Sequence, residues 1–481
     1  MALVVGAALF AALSACNQNS ADTDTLSLYD LVVKFDEEAQ TLTCRQEVLY
    51  INREDADLTE LMFSLAPAAF REGAQFPPFT PQERSAAYYA GASFGGIEIE
   101  AVGVEGFDAE FEIGGDDQNI LIVPVSALAP NATLNVKIDF CVKLPKCNGR
   151  MGITPSAVNL GNFYPILCVY ENGAYQTNPY YNFGDPFYSD AADYLVTLDI
   201  PEKYIAASSG TVENSYVENG RRIIEINAAK CRDFAAVLSK NFKTVSDRVN
   251  GVDINYYYVS DTNPQTVLST AKSAIEVFSD AFGSYPYPVF NVAQTGLNSS
   301  GMEYSNLVFI SSALFGAAKE ETVIHETAHQ WWYGVVGCNQ IANAWLDEGL
   351  AEFSTAYYFR LTGDSARYSK IIGETLSGYV TFYDFIKASN PSAPSGMNRA
   401  LNEFSSQGEY VVMSYYKGAL MFDTLLEMYG EKKLNRALSA YFDQNSFAIA
   451  NPDLLVQNIN RYCKGSENLV KSWIDGTVII G

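Results

Sequence analysis

The chain has 481 residues, with 31 Lys and Arg against 56 Asp and Glu, a formal net charge of −25. So acidic a chain lacks the basic footprint of a nucleic-acid binder. Its 48% apolar and 13% aromatic content excludes global disorder. No apolar run reaches the roughly 18 residues of a membrane-spanning helix, and the length predicts two to four domains.

In chain order, residues 2–15 (ALVVGAALFAALSA) come first. This run is too short to span a bilayer, ends in small residues and reads as an export signal, although no Lys or Arg precedes it. Leu13-Ser14-Ala15-Cys16 resembles a bacterial lipobox. That resemblance implies a signal peptide over 1–16 and lipidation of Cys16. The protein is then expected to be exported and lipid-anchored to the outer face of a bacterial membrane, with no other membrane attachment. Residues 17–27 are polar and read as a tether. Cys44, Cys141, Cys147, Cys168, Cys231, Cys338 and Cys463 show no CxxC spacing, so buried free thiols are expected. Cys141 and Cys147 are the pair to examine for a disulfide.

From 28 to 245 the signals are strand-like. Leu134, Val136, Ile138, Phe140 and Val142 alternate with polar or small neighbours at period two. Similar runs recur at 28–35, 44–51, 119–124, 194–200 and 222–227, separated by turn clusters such as Gly114-Gly115-Asp116-Asp117. Many short strands with few helical runs predict a β-sandwich domain. The aromatic, irregular stretch 160–190 can line an interface or a cleft. After 250 the pattern turns helical, with helices expected over 265–282, 317–334, 344–362, 412–429, 431–443 and 452–462. The fold class is therefore α+β, with a β domain over 28–245 and a mainly helical domain over 246–481.

The chain's only two histidines stand four apart, in His325-Glu326-Thr327-Ala328-His329. On a helix those positions share a face, so both imidazoles can reach one ion. Zinc suits imidazole nitrogen, and a catalytic zinc takes three protein ligands plus water. Nineteen residues after His329 stands Glu348, in Trp345-Leu346-Asp347-Glu348-Gly349. A turn around 334–343 returns the chain antiparallel and lets Glu348 complete a His2Glu site for one zinc ion per chain. Glu326 is then the natural general base for a water that attacks a carbonyl. Glu352, one turn after Glu348, can orient a ligand histidine or simply meet solvent. Trp331 and Trp332 read as packing residues.

His325–Trp331 followed by Trp345–Phe353 resembles the M1 zinc aminopeptidases, gluzincins with an HExxH-x18-E motif. Two further segments carry the resemblance. Ser300-Gly301-Met302-Glu303-Tyr304 looks like the GxMEN motif in its GGMEY form, and Ser414-Tyr415-Tyr416-Lys417-Gly418-Ala419 looks like the YxKGA segment. The family's pattern implies that Glu303 holds the substrate's free α-ammonium, that Gly301 and Met302 offer backbone contacts to the peptide, and that Tyr415 stabilises the oxyanion. Tyr416 is the rival for that last role and Tyr410 a weaker one. An anion beside the site favours a charged N-terminus over a blocked one.

The resemblance covers roughly 28–481. It implies an N-terminal β-sandwich followed by a thermolysin-like, mainly helical catalytic domain, acting on peptides with a free N-terminus. The sequence departs from the common motif at Ser300 and Tyr304. Many relatives also carry a large helical C-terminal domain over the cleft. With the chain ending at Gly481, a more open cleft is expected. The alternatives are a thermolysin-like zinc endopeptidase and a catalytically inactive peptide-binding lipoprotein.

Overall fold

The structure, a computed structural model, describes residues 26–478. The expected signal peptide, Cys16 and most of the expected tether lie outside the described residues. The chain forms two compact units. The first comprises residues up to 77 with 88–179 and 191–240, and the second comprises 78–87, 180–190 and 241 onward. The segments 78–87 and 180–190 thus interrupt the first unit in sequence and belong to the second.

The first unit is all-β and multi-sheet. Its largest sheet has eight strands, centred on Leu28–Asp36 between Ala192–Pro201 and Thr41–Ile51. Leu28–Asp36 runs parallel to the first neighbour and antiparallel to the second. The expected alternation is visible in Thr133–Lys143, where Val136, Ile138, Phe140 and Val142 are buried. Two four-stranded sheets complete the unit, built around Ala236–Ser239 and Leu58–Ser64, together with a hairpin of Tyr170–Glu171 and Ala174–Tyr175. Cys141 and Cys147 are free thiols, as are Cys44, Cys168 and Cys463, and six of the seven cysteines among the described residues are buried.

The second unit opens with a five-stranded mixed sheet that the sequence pattern did not reveal. Its strands are β1 (Lys243–Val249), β2 (Val252–Tyr258), β3 (Val289–Thr295), β4 (Gly301–Met302) and β5 (Leu307–Ser311), in the order β1-β2-β3-β5-β4. β3 and β5 are buried along their whole lengths. Strands covered on both faces read as plain apolar runs without alternation. Helix α1 (Pro264–Phe282) joins β2 to β3. Pro264 starts it and Gly283, at φ 138, ends it, and Val267, Ala271, Ala274, Phe278 and Phe282 form its buried stripe.

Helix α2 (Gly316–Ala328) follows, then α3 (Trp345–Leu361), α4 (Ser365–Ser389) and α5 (Lys417–Tyr429). Further helices cover Glu431–Asn445, Pro452–Tyr462 and Glu467–Ile474. The helical run expected over 317–334 is shorter as a regular helix. It stops at Ala328 and continues as a wide turn over Gln330–Val335, where Trp332 leaves helical geometry at φ −105, ψ 49. The cause is tertiary capture of consecutive side chains. Trp331 donates its indole N–H to the Gly283 carbonyl at 2.8 Å, and Trp332 donates to Ser354 Oγ at 3.1 Å. Both tryptophans are packing residues, each at most 1% exposed. Among the described residues no helix is long and apolar enough to cross a membrane.

Candidate metal centre

Three side chains converge where α2 meets the start of α3. His325 comes from the last turn of α2, His329 from its C-terminal boundary and Glu348 from the first turn of α3. The two Nε2 atoms stand 3.1 Å apart. Each lies 3.3 Å from Glu348 Oε2. In tetrahedral zinc coordination at 2.0–2.1 Å, two ligand atoms are separated by about 3.3–3.4 Å. The three atoms therefore outline one face of such a tetrahedron.

The outer nitrogens of the imidazoles support this arrangement. His329 Nδ1 hydrogen-bonds to Asp347, which is itself fully buried. A neutral imidazole that gives its Nδ1 proton to a carboxylate keeps a lone pair on Nε2. His325 Nδ1 has Glu352 Oε2 at 3.4 Å and Thr355 Oγ1 at 3.4 Å. Glu352 thus stands behind a candidate ligand histidine.

The electrostatics ask for added positive charge. Burial would lower the His325 pKa, but its contacts with Glu348 and Glu352 outweigh that and raise it to about 10. Burial raises Glu348, yet the two imidazoles hold it well below the usual carboxylate range. The donor set, its spacing and its charge demand all fit a divalent cation with nitrogen and oxygen ligands.

Glu326 lies beside this face. Its carboxyl is driven up to about 7, burial being the largest cause and the imidazoles opposing it. Its Oε2 is buried without a hydrogen-bond partner. The other oxygen rests against Gly301, where an added Cβ would come within 2.3 Å of Glu326 Oε1. Gly301 is therefore required by space and not by a left-handed backbone. Glu303 follows on the same strand end, and its carboxylate lies within 4.8 Å of the ligand atoms of Glu326 and His329. Burial, then the nearby Asp185 carboxylate, push Glu303 well above the usual range.

The loop bearing Glu303 is fixed from below. Gln330, fully buried, accepts from the Asn306 backbone N–H at 2.7 Å and donates to the Tyr304 carbonyl at 3.2 Å. Met302 is buried, and Tyr304 packs its ring against Phe309 at 4.9 Å. A tyrosine at this position thus faces the sheet core.

Tyr415 donates its hydroxyl to Glu348, and its ring lies parallel to that of His325 at 5.9 Å. Tyr410 packs edge-on against Tyr415 at 5.7 Å. Tyr416 instead covers Gly378 of α4. Of the three tyrosines, the structure brings Tyr415 to the cluster. The approach depends on two glycines, since a Cβ on Gly418 would stand 2.6 Å from Gly349 Cα. Small residues on both helices let α3 and α5 cross closely, which places Tyr415 against Glu348.

Sequence reasoning did not find Asp347, Gln330, Gln340 or the crossing of Gly349 with Gly418. Asp347 precedes Glu348 directly, so a carboxylate pair at a helix start was a signal within reach.

A family model described as the peptidase family M1 domain matches residues 266–475. Human endoplasmic reticulum aminopeptidase 2 is 24% identical over 373 residues, covering 73% of this chain and 38% of that protein. Tricorn protease-interacting factor F2 of Thermoplasma acidophilum is 21% identical over 338 residues, 66% of this chain and 40% of that protein. The chain spans well under half the length of these curated relatives. The fold is that of an M1 zinc metallopeptidase from Deinococcus radiodurans, with a TM-score of 0.69, 17% identity and 95% of each chain covered. A structure of a mutant of a Deinococcus radiodurans M1 zinc metallopeptidase with a Tyr-Ser-Ala substrate aligns at a TM-score of 0.64, with 16% identity and 95% of each chain covered. Residues 266–475 thus resemble the peptidase family M1 domain.

Proposed function

We propose that the protein is a zinc-dependent aminopeptidase that removes N-terminal residues from peptides. The observation that carries this reading is Glu303. A buried carboxyl group whose oxygen lies within 4.8 Å of Glu326 and His329 forms a wall beside the ligand cluster, and an arriving ammonium holds it ionised. Such a wall rewards a substrate whose ammonium stands next to the scissile bond.

His325, His329 and Glu348 would hold the zinc. When bound, the ion supplies Lewis acidity that polarises the scissile carbonyl and acidifies water. Glu326 takes the proton from the attacking water and returns it to the leaving amine. Its isolated Oε2 is the atom available for that transfer. Tyr415 turns its hydroxyl from Glu348 toward the developing oxyanion and donates a hydrogen bond to it. Glu303 holds the α-ammonium, while Gly301 and Met302 offer backbone groups to the peptide. Export and lipid attachment at Cys16 belong to the same proposal and rest on residues 2–20. Loss of acyl labelling in Cys16→Ala would be expected.

The test is a panel of fluorogenic aminoacyl amides, each with a free and an N-acetylated amine. Hydrolysis of the free form alone, abolished by a chelator and restored by zinc, is the expected result. Equal cleavage of both forms removes Glu303 from amine recognition and favours an endopeptidase. No hydrolysis and no stoichiometric zinc would leave a peptide-binding protein.

A further inference from the structure

Gln340 is 2% exposed and opens a single helical turn, Gln340–Asn343. Asn339 caps that turn, accepting from the Ala342 N–H at 3.0 Å. The preceding residues Gly337 and Cys338 are held by pairing with Ile449 and Ala450. The Gln340 backbone is therefore fixed on both sides.

Its side-chain nitrogen meets two carboxylates from different elements. It donates to Asp347 Oδ2 and lies 3.4 Å from Glu303 Oε1. An amide NH2 carries two donor hydrogens, and ionised carboxylates only accept. The Gln340 nitrogen is the atom that stands within reach of both carboxylates. Asp347 uses its other oxygen for His329 Nδ1. One unbroken chain of buried polar contacts then runs from Glu303 through Gln340 and Asp347 to His329.

The ends of that chain have different tasks in the proposed function. Glu303 meets the substrate's ammonium, and His329 meets the metal. We propose that Gln340 is a positioning residue that couples recognition of the α-ammonium to ligation of the metal. This inference rests on the aminopeptidase reading. Without the amide, two buried carboxylates each lose a donor, Asp347 is held less firmly behind His329, and Glu303 loses this restraint on its rotamer. Coupling of this kind is reciprocal, so an amine-bearing ligand and the metal strengthen each other's binding.

The test uses Gln340→Met, which keeps the length and roughly the volume while removing the amide. Zinc affinity is measured by competition with a chromophoric chelator, and kinetics on matched free and N-acetylated aminoacyl amides. The expected result is a zinc dissociation constant raised about tenfold. With zinc saturating, KM for the free amine also rises about tenfold while kcat changes less than threefold. Combining Gln340→Met with Asp347→Asn should be non-additive in zinc affinity, and combining it with Glu303→Gln should be non-additive in KM. Gln340→Asn, one methylene short, should show both losses in milder form and serves if the Met variant does not fold. Additive cycles, or a change confined to thermal stability or kcat, overturn the proposal. If the wild type fails to discriminate free from acetylated amines, the Glu303 reading fails and the coupling falls with it. The zinc titration then still reports whether Gln340 supports His329 through Asp347.

Discussion

The contact between Gly301 and Glu326 gives a quantitative prediction. Gly301→Ala places a methyl group 2.3 Å from Glu326 Oε1, 2.5 Å from Cδ and 2.7 Å from Cγ. Ordinary contact begins at 3.4 Å, so the carboxylate must retreat by about 1 Å. The strand has little freedom to yield instead, because Gly301 is paired with Ile310 and Met302 with Phe309. Glu326 has no hydrogen bond at Oε2 to resist the push. A displacement of about 1 Å in a reacting group costs on the order of 100-fold in rate, equivalent to about 2.7 kcal/mol of activation free energy. The candidate metal cluster is not touched directly, so zinc content is expected to match that of the wild type. The assay is steady-state hydrolysis of a free aminoacyl amide, with zinc measured by elemental analysis and folding by thermal melting. A kcat within threefold of wild type, with zinc and melting unchanged, would refute the steric account of how Glu326 is placed.

Other predictions concern separate parts of the molecule. Gly418→Ala inserts a methyl 2.6 Å from Gly349 Cα and should cost about 1–3 kcal/mol of stability, read as a lowered midpoint in denaturant, with kcat falling as Tyr415 is drawn from the cluster. Tyr415→Phe should lower kcat by about 10²–10³ while zinc affinity holds, and a loss of zinc instead would assign the residue a structural task. Asp30 faces Glu47 across the strand pair, and burial followed by that like charge raises its pKa to about 6 from 3.8. The folded state therefore binds more protons between pH 4 and 6, and stability falls as pH rises through that window. Asp30→Asn should stabilise by about 1–2 kcal/mol above pH 7, after discounting for partial exposure, and change nothing below pH 4. A pH-independent difference between the two proteins would contradict it.

The elements legible in the sequence are those whose signal is local. Alternation in Thr133–Lys143 and the bounds set by Pro264 and Gly283 need only neighbouring residues. The four-residue spacing of His325 and His329 is likewise a property of one helix. α4 escaped because its buried face is Tyr368, Thr375, Tyr379 and Tyr383, hydroxyl-bearing side chains that do not register as an apolar stripe. β3 and β5 escaped because burial on both faces erases alternation. That residues 180–190 belong with the second unit follows from packing and from nothing in their composition. The sequence alone therefore determines which groups can bind a metal and accept a proton. Their distances, orientations and supporting partners belong to the tertiary structure. Gly301 against Glu326, Gly418 against Gly349, and Gln340 between Glu303 and Asp347 are contacts between separate elements. Such contacts depend on how a sheet edge and crossing helices pack, because no backbone periodicity encodes the separation between them.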